Sequence, residues 1–150
     1  MNYSKFDLIL AADVIEHIKN DILIVKKLKN YLKEISGIMI ITVPAYQFLF
    51  SKKDKELKHY RRYNVTTLSK LLSEFQLLKI TYFNFFLFLP LSFLILFCKF
   101  LNINFIQKAE ETPISILNTI LYTIFKIEKY FINFIKFPFG LSILCICQKK

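Results

Sequence analysis

At 150 residues with 55% hydrophobic side chains, the chain is long enough to bury a core and too apolar to be an intrinsically disordered segment. Its 21 basic and 11 acidic residues leave a net charge of +10, which favours a polyanionic partner such as nucleic acid, anionic lipid or a phosphorylated substrate. The basic excess divides evenly between the two halves of the chain, so there is no basic tail and the case for nucleic acid is weak.

The amino terminus lacks a basic stretch followed by an apolar run and a small-residue cleavage site, and a cytoplasmic setting is therefore expected. Phe6 to Ala12 (FDLILAA) is short and almost wholly apolar, the pattern of a strand covered on both faces in a parallel sheet. Asp13 ends it. Ile18, Ile22, Val25, Leu32 and Ile35 then recur at helical spacing behind a cap at Asn20 and Asp21, until Gly37 breaks the pattern. Ile38 to Val43 (IMIITV) is a second buried strand rich in branched residues, stopped by Pro44. Strand, helix and strand of these lengths make a parallel crossover unit.

Residues 45–63 carry no period and are dense in charge and aromatic rings, which predicts a long functional loop. Thr66 is placed to cap a helix bearing Leu68, Leu71, Leu72 and Phe75, and Leu77 to Phe83 reads as a third strand. Phe85 to Cys98 is continuously apolar but falls short of the ~20 residues that span a bilayer; a buried or interfacial position is expected. Thr112 and Pro113 form a cap-and-first-turn signal for a helix over Ile114 to Phe137. Its polar stripe is narrow and basic, running through Ser115, Thr119, Thr123, Lys126, Lys129, Asn133 and Lys136. Gly140 precedes a closing strand, Leu141 to Cys147, in which Cys145 and Cys147 share a face as buried thiols. With Cys98 they are too few and too poorly spaced for a zinc cluster, and no metal site is expected.

Open alternating sheets bind ligands outside the carboxyl ends of their strands, so the residues after Ala12 and Val43 are the informative ones. FDLILAADVIEHI (Phe6 to Ile18) resembles the fourth strand and following turn of class I S-adenosylmethionine-dependent methyltransferases, with Asp-Val-x-Glu-His after an apolar strand. VPAYQFLFSKKDKELKHYRRY (Val43 to Tyr63) is similar to the loop after the fifth strand in a subfamily related to methyltransferase types 11 and 12. TYFN (Thr81 to Asn84) and PFGLSILCICQKK (Pro138 to Lys150) resemble its sixth and seventh strands. The likeness covers most of 6–84 and 138–150. It departs at Leu32 to Gly37 (LKEISG), where the family turns through Leu-Lys-Pro-Gly-Gly, and at Glu74 and Phe75, where the family has Gly-Phe. The family's first three strands, its glycine-rich turn and its ribose-binding acid have no counterpart in these residues.

The resemblance implies an α/β fold: a partial Rossmann-like sheet, roughly strands four to seven, in one partial domain. Residues 1–84 and 138–150 would form the sheet and 85–137 a hydrophobic helical insertion before the last strand. It implies S-adenosyl-L-methionine as cofactor, beside Ala12, Asp13 and Glu16, with His17 and His59 as catalytic candidates. Helix-start charge accounts equally well for Asp13 and Glu16, and a structural role equally well for His17. Tyr46, Arg61, Arg62 and Tyr63 are the substrate candidates, because paired guanidiniums beside aromatic rings suit a phosphate or carboxylate; a solvated basic loop is the alternative. The expected activity is methyl transfer to a small or lipid-linked substrate, by a carboxyl-terminal fragment inactive alone. The alternatives are an inactive remnant or interaction subunit needing a separate amino-terminal half, and an RNA-modifying methyltransferase. Partners include a membrane surface and, along the exposed edge of the first strand, that amino-terminal half or a second copy.

Overall fold

A computed structural model describes residues 5–101 and 115–150, with side chains from 118 onward in the second stretch. Four strands form one sheet in the order β1-β2-β4-β3. β1 (Leu8–Ala12) and β2 (Ile38–Pro44) are parallel, and β4 (Ser142–Lys149) lies antiparallel between β2 and β3 (Phe75–Phe83). The two parallel strands are joined by α1 (Asp21–Tyr31), the crossover that parallel pairing requires.

Alternation along the strands makes one face of the sheet the core. Met39, Ile41 and Val43 of β2 and Ile143, Cys145 and Cys147 of β4 are fully buried. Val25 of α1 and Leu68 of α3 (Val65–Leu71) cover them, each large apolar side chain contributing about 1.5–3 kcal/mol when fully buried. The intervening residues Ile38, Ile40, Leu144 and Ile146 point the other way and are only half-buried. On β1 that second face is open, with Leu8 54% and Leu10 65% exposed. The expectation of a first strand covered on both faces is thereby corrected: α1 shields Ile9 and Ala11, and nothing among the described residues covers Leu8 and Leu10.

Several boundaries move for identifiable reasons. α1 starts where expected, Asn20 Oδ1 accepting from Leu23 N at 3.0 Å, but stops at Tyr31 because Leu32 leaves the helix to bridge Phe6. Ile35 is then 85% exposed rather than part of an apolar face. The cap of α3 is Asn64, whose Oδ1 accepts from Thr67 N at 2.8 Å while Thr67 Oγ1 accepts from Asn64 N at 2.9 Å; Thr66 does not cap it. Phe75 opens β3 instead of closing the helix, since its ring is needed in the core.

The apolar run after β3 forms α4 (Phe88–Phe100), with Pro90 in the first turn, where no main-chain donor is missed. The next described helix, α5 (Ser115–Ile132), ends before Phe137. Phe137 instead bridges Tyr82, its N–H donating to the buried Thr81 Oγ1 at 2.9 Å. The Thr112–Pro113 start signal lies outside the described residues. Gly140 passes so close to β3 that a Cβ there would meet the Phe83 carbonyl oxygen at 2.3 Å, so no larger residue fits without moving the strand.

Candidate functional site

The carboxyl ends of β1 and β2 lie side by side, and both end in left-handed backbone. Asp13 has φ 50° and Tyr46 φ 61°. For a bulky residue such as Tyr46 that conformation is strained, and strain of this kind clusters at ligand sites. Asp13 is held by Thr42, whose hydroxyl donates to Asp13 Oδ1 at 3.2 Å, while Asp13 N donates to the Thr42 carbonyl at 3.0 Å. Tyr46 stacks on Tyr82 at 5.2 Å and tilts against Phe48 and Phe88. Burial, and after it the neighbouring Tyr82 hydroxyl, push its phenol above the usual tyrosine range.

The chain leaves β1 through a 3-10 turn, Ile15–His17, that puts Glu16 inside and His17 outside. The segment 45–63 is a built structure rather than an open loop. A second 3-10 turn, Gln47–Leu49, precedes the short helix α2 (Lys52–Glu56). The segment then returns to both strand ends, Tyr60 N donating to the Glu16 carbonyl at 2.8 Å and Tyr63 N to the Pro44 carbonyl at 2.9 Å.

Asp54 organises that return. Its buried carboxylate accepts from Arg62 Nε at 2.7 Å and Nη2 at 2.9 Å, from Ser51 N at 2.8 Å and Oγ at 3.0 Å, and faces His59 Nδ1 at 3.0 Å. Burial is the largest single influence and pushes the carboxyl upward, but the Arg62, Ser51 and His59 hydrogen bonds outweigh it and hold Asp54 below the ordinary carboxylate range. In the sequence Asp54 is one charge among many in residues 45–63; its Ser-x-x-Asp spacing from Ser51 is the available signal.

The predicted residues therefore divide. Ala12, Asp13, Glu16, His17, Tyr46 and His59 gather at the two strand ends. Arg62 is committed to Asp54, and Tyr63 is buried with its hydroxyl donating to Asp21 Oδ2 at 3.0 Å. Arg61 pairs with Asp21 at 2.6 Å and donates to the Lys19 carbonyl at 2.6 Å. Both guanidiniums are thus paired within the scaffold, Arg61 with Asp21 and Arg62 with Asp54.

Glu16 and His17 meet His59 across the site. One ligand atom from each lies within 4.8 Å of the others, and the two imidazole rings stand edge to face, 4.5 Å apart and 80° inclined. Glu16 is wholly buried, and no hydrogen bond from the described residues reaches either carboxylate oxygen. Burial pushes its carboxyl above the ordinary range and the charge of Asp13 adds to this; its own main-chain N–H, too poorly placed to make a hydrogen bond, and the two histidines offset only part of it.

A mixed sheet with a parallel pair, an antiparallel last strand inserted beside it, and a site at the parallel strands' carboxyl ends defines the architecture: the chain forms a partial Rossmann-like α/β sheet. Among solved structures it is similar, over 99% of its length, to a protein of Bacillus halodurans C-125 whose own assignment as a methyltransferase is provisional. The TM-score is 0.51 at 15% identity, and 67% of that chain is covered. A second structure, phosphoethanolamine N-methyltransferase 2 of Haemonchus contortus in complex with S-adenosyl-L-methionine, matches 96% of this chain with a TM-score of 0.49 at 17% identity. The present chain spans 33% of that one. No protein-family model matches the sequence, and no curated protein matches it.

Proposed function

We propose that the chain forms the acceptor side and part of the cofactor wall of an S-adenosyl-L-methionine-dependent methyltransferase acting on a small or lipid-linked substrate. The observation that carries this reading is the convergence of Asp13, Glu16, His17, Tyr46 and His59 on the carboxyl ends of two adjacent parallel strands, where such sheets bind their ligands.

The residues present fit one wall of a cofactor site. Ala12 is small and exposed at the strand end, and Asp13, fixed by Thr42, turns the backbone so that a ligand approaches it closely. The chain's two glycines, Gly37 and Gly140, lie elsewhere, so a glycine cradle must come from outside these residues. The cofactor, when bound, supplies a methyl group on a positively charged sulfur. The protein's task is alignment of the acceptor with that methyl, an effect that supplies up to about 7–11 kcal/mol in well-oriented systems. Tyr46 and its aromatic neighbours form the apolar flank that seats the acceptor, and His17, exposed at the mouth, takes up a proton from an acceptor that arrives protonated.

Equilibrium binding of S-adenosylhomocysteine by calorimetry tests this. Saturable binding, weakened at least tenfold in Asp13→Ala, is expected; no saturable heat, or heat indifferent to that change, ends the cofactor assignment.

One observation supports a second reading, a subunit that completes its sheet with a partner. β1 is an edge strand whose outward face is apolar, and such edges recruit further strands. A preceding segment supplied separately, or a second copy of this chain, would satisfy it.

A further inference from the structure

We propose that Glu16, His17 and His59 form a binding site for a divalent transition metal of the zinc class, with positions left open toward solvent for an acceptor's oxygen or nitrogen. The chain has two histidines in all, and the fold brings both to the same carboxylate although 42 residues separate them in sequence. Two imidazoles and one carboxylate are a donor set that zinc, iron and cobalt share.

Three features point to an ion rather than to a structural cluster. Glu16 is completely buried, yet both of its oxygens lack a hydrogen-bond donor among the described residues. A carboxyl in that condition either keeps its proton or is met by a cation, and the two imidazoles beside it complete a cation's donor set. Secondly, His59 is already oriented as a ligand. Asp54, satisfied by the Arg62 guanidinium, faces His59 Nδ1 at 3.0 Å, so Nε2 is the nitrogen left for an ion. A carboxylate behind a histidine is the usual support of a metal-bound imidazole. Thirdly, the two ring centroids lie 4.5 Å apart, close enough for one ion to reach a nitrogen of each.

Ligand atoms within 4.8 Å of one another reach the spacing of about 3.3 Å set by metal–ligand bonds near 2.0–2.1 Å with side-chain shifts of about 1 Å. Burial falls from Glu16 through His59 to the exposed His17, so the ion would sit with its open side outward. An acceptor hydroxyl coordinated there loses its proton more readily. The histidine lone pairs are then occupied, and the ion replaces His17 as the means of activating the acceptor. The site does not depend on methyl transfer, and its test needs no cofactor.

The tag-free chain, stripped with chelator, is titrated with Co2+ and followed by visible absorption. One equivalent should produce d–d bands of a low-coordinate nitrogen and oxygen site without a thiolate charge-transfer band, and Zn2+ should abolish them. Because both histidines belong to the site, 15N-edited imidazole spectra provide a second readout: Zn2+ should shift both side chains and leave His59 protonated at Nδ1. His17→Gln, at an exposed position, and Glu16→Gln should each weaken Co2+ binding at least tenfold while the far-ultraviolet dichroism is retained. Absence of saturable Co2+ binding to the unmodified chain, a thiolate band, or affinity unchanged in both variants would overturn the proposal, whatever the outcome with S-adenosylhomocysteine.

Discussion

Asp54 shows how one side chain converts a charged segment into architecture. It holds Arg62, Ser51 and His59 together with essentially no exposure, so removing its charge leaves a buried guanidinium unpaired. Asp54→Asn should lower stability by about 3–5 kcal/mol, measured by urea unfolding; a loss below about 1 kcal/mol would mean that solvent compensates the pair. The pH dependence has a definite sign. A carboxyl held below its ordinary value stabilises the fold fully above the unfolded value of about 3.9, and this contribution is lost as pH falls from there through the lowered folded value. Acid unfolding monitored by fluorescence should therefore lose its steep component below about pH 4 in the variant. Adjacency of the two arginines is visible in the sequence, whereas the carboxylates that pair with them, Asp21 with Arg61 and Asp54 with Arg62, are chosen by the fold.

At the scale of elements, periodicity served well wherever one face meets a core. β2 alternates buried and half-buried residues throughout and β4 does so from Ser142 to Gln148, and Cys145 and Cys147 share the inner face as their spacing requires. It failed where a long-range contact took a residue from its local pattern, as when Leu32 leaves α1 for Phe6 and Phe137 leaves the α5 pattern for Tyr82. β1 is the element with consequences for assembly. Its parallel pairing with β2 uses one edge only, and Leu8 and Leu10 leave an apolar patch on the uncovered face beside the free edge. If the edge mediates self-association, Leu10→Lys should shift sedimentation velocity profiles toward monomer, since a charge on an edge strand opposes further pairing. An unchanged distribution would rule out a second copy at this edge.

For the molecule as a whole, α4 and α5 leave an unusual amount of apolar surface uncovered, including Phe93, Phe97 and Phe100 on the first and Tyr122, Phe125 and Tyr130 on the second. No described helix is long and apolar enough to cross a membrane. A peripheral seat on a bilayer is the proposal these side chains support, with Lys126 and Lys129 of α5 toward anionic headgroups. Flotation with vesicles containing anionic lipid should carry the chain upward, and protein left at the bottom would end the idea. α5 departs from the simple amphipathic expectation in one respect, since Glu128 is buried and accepts from Phe85 N at 3.0 Å, tying the helix to the end of β3. The sequence by itself determined the strand and helix types and the likeness to the carboxyl-terminal half of a methyltransferase sheet, because these depend on local periodicity and contiguous motifs. Only the tertiary structure decided that β1 keeps an open face, that both arginines are spoken for, and that Glu16 and the two histidines share one point. Those outcomes depend on which residues far apart in the chain compete for the same partner, and no local pattern records that competition.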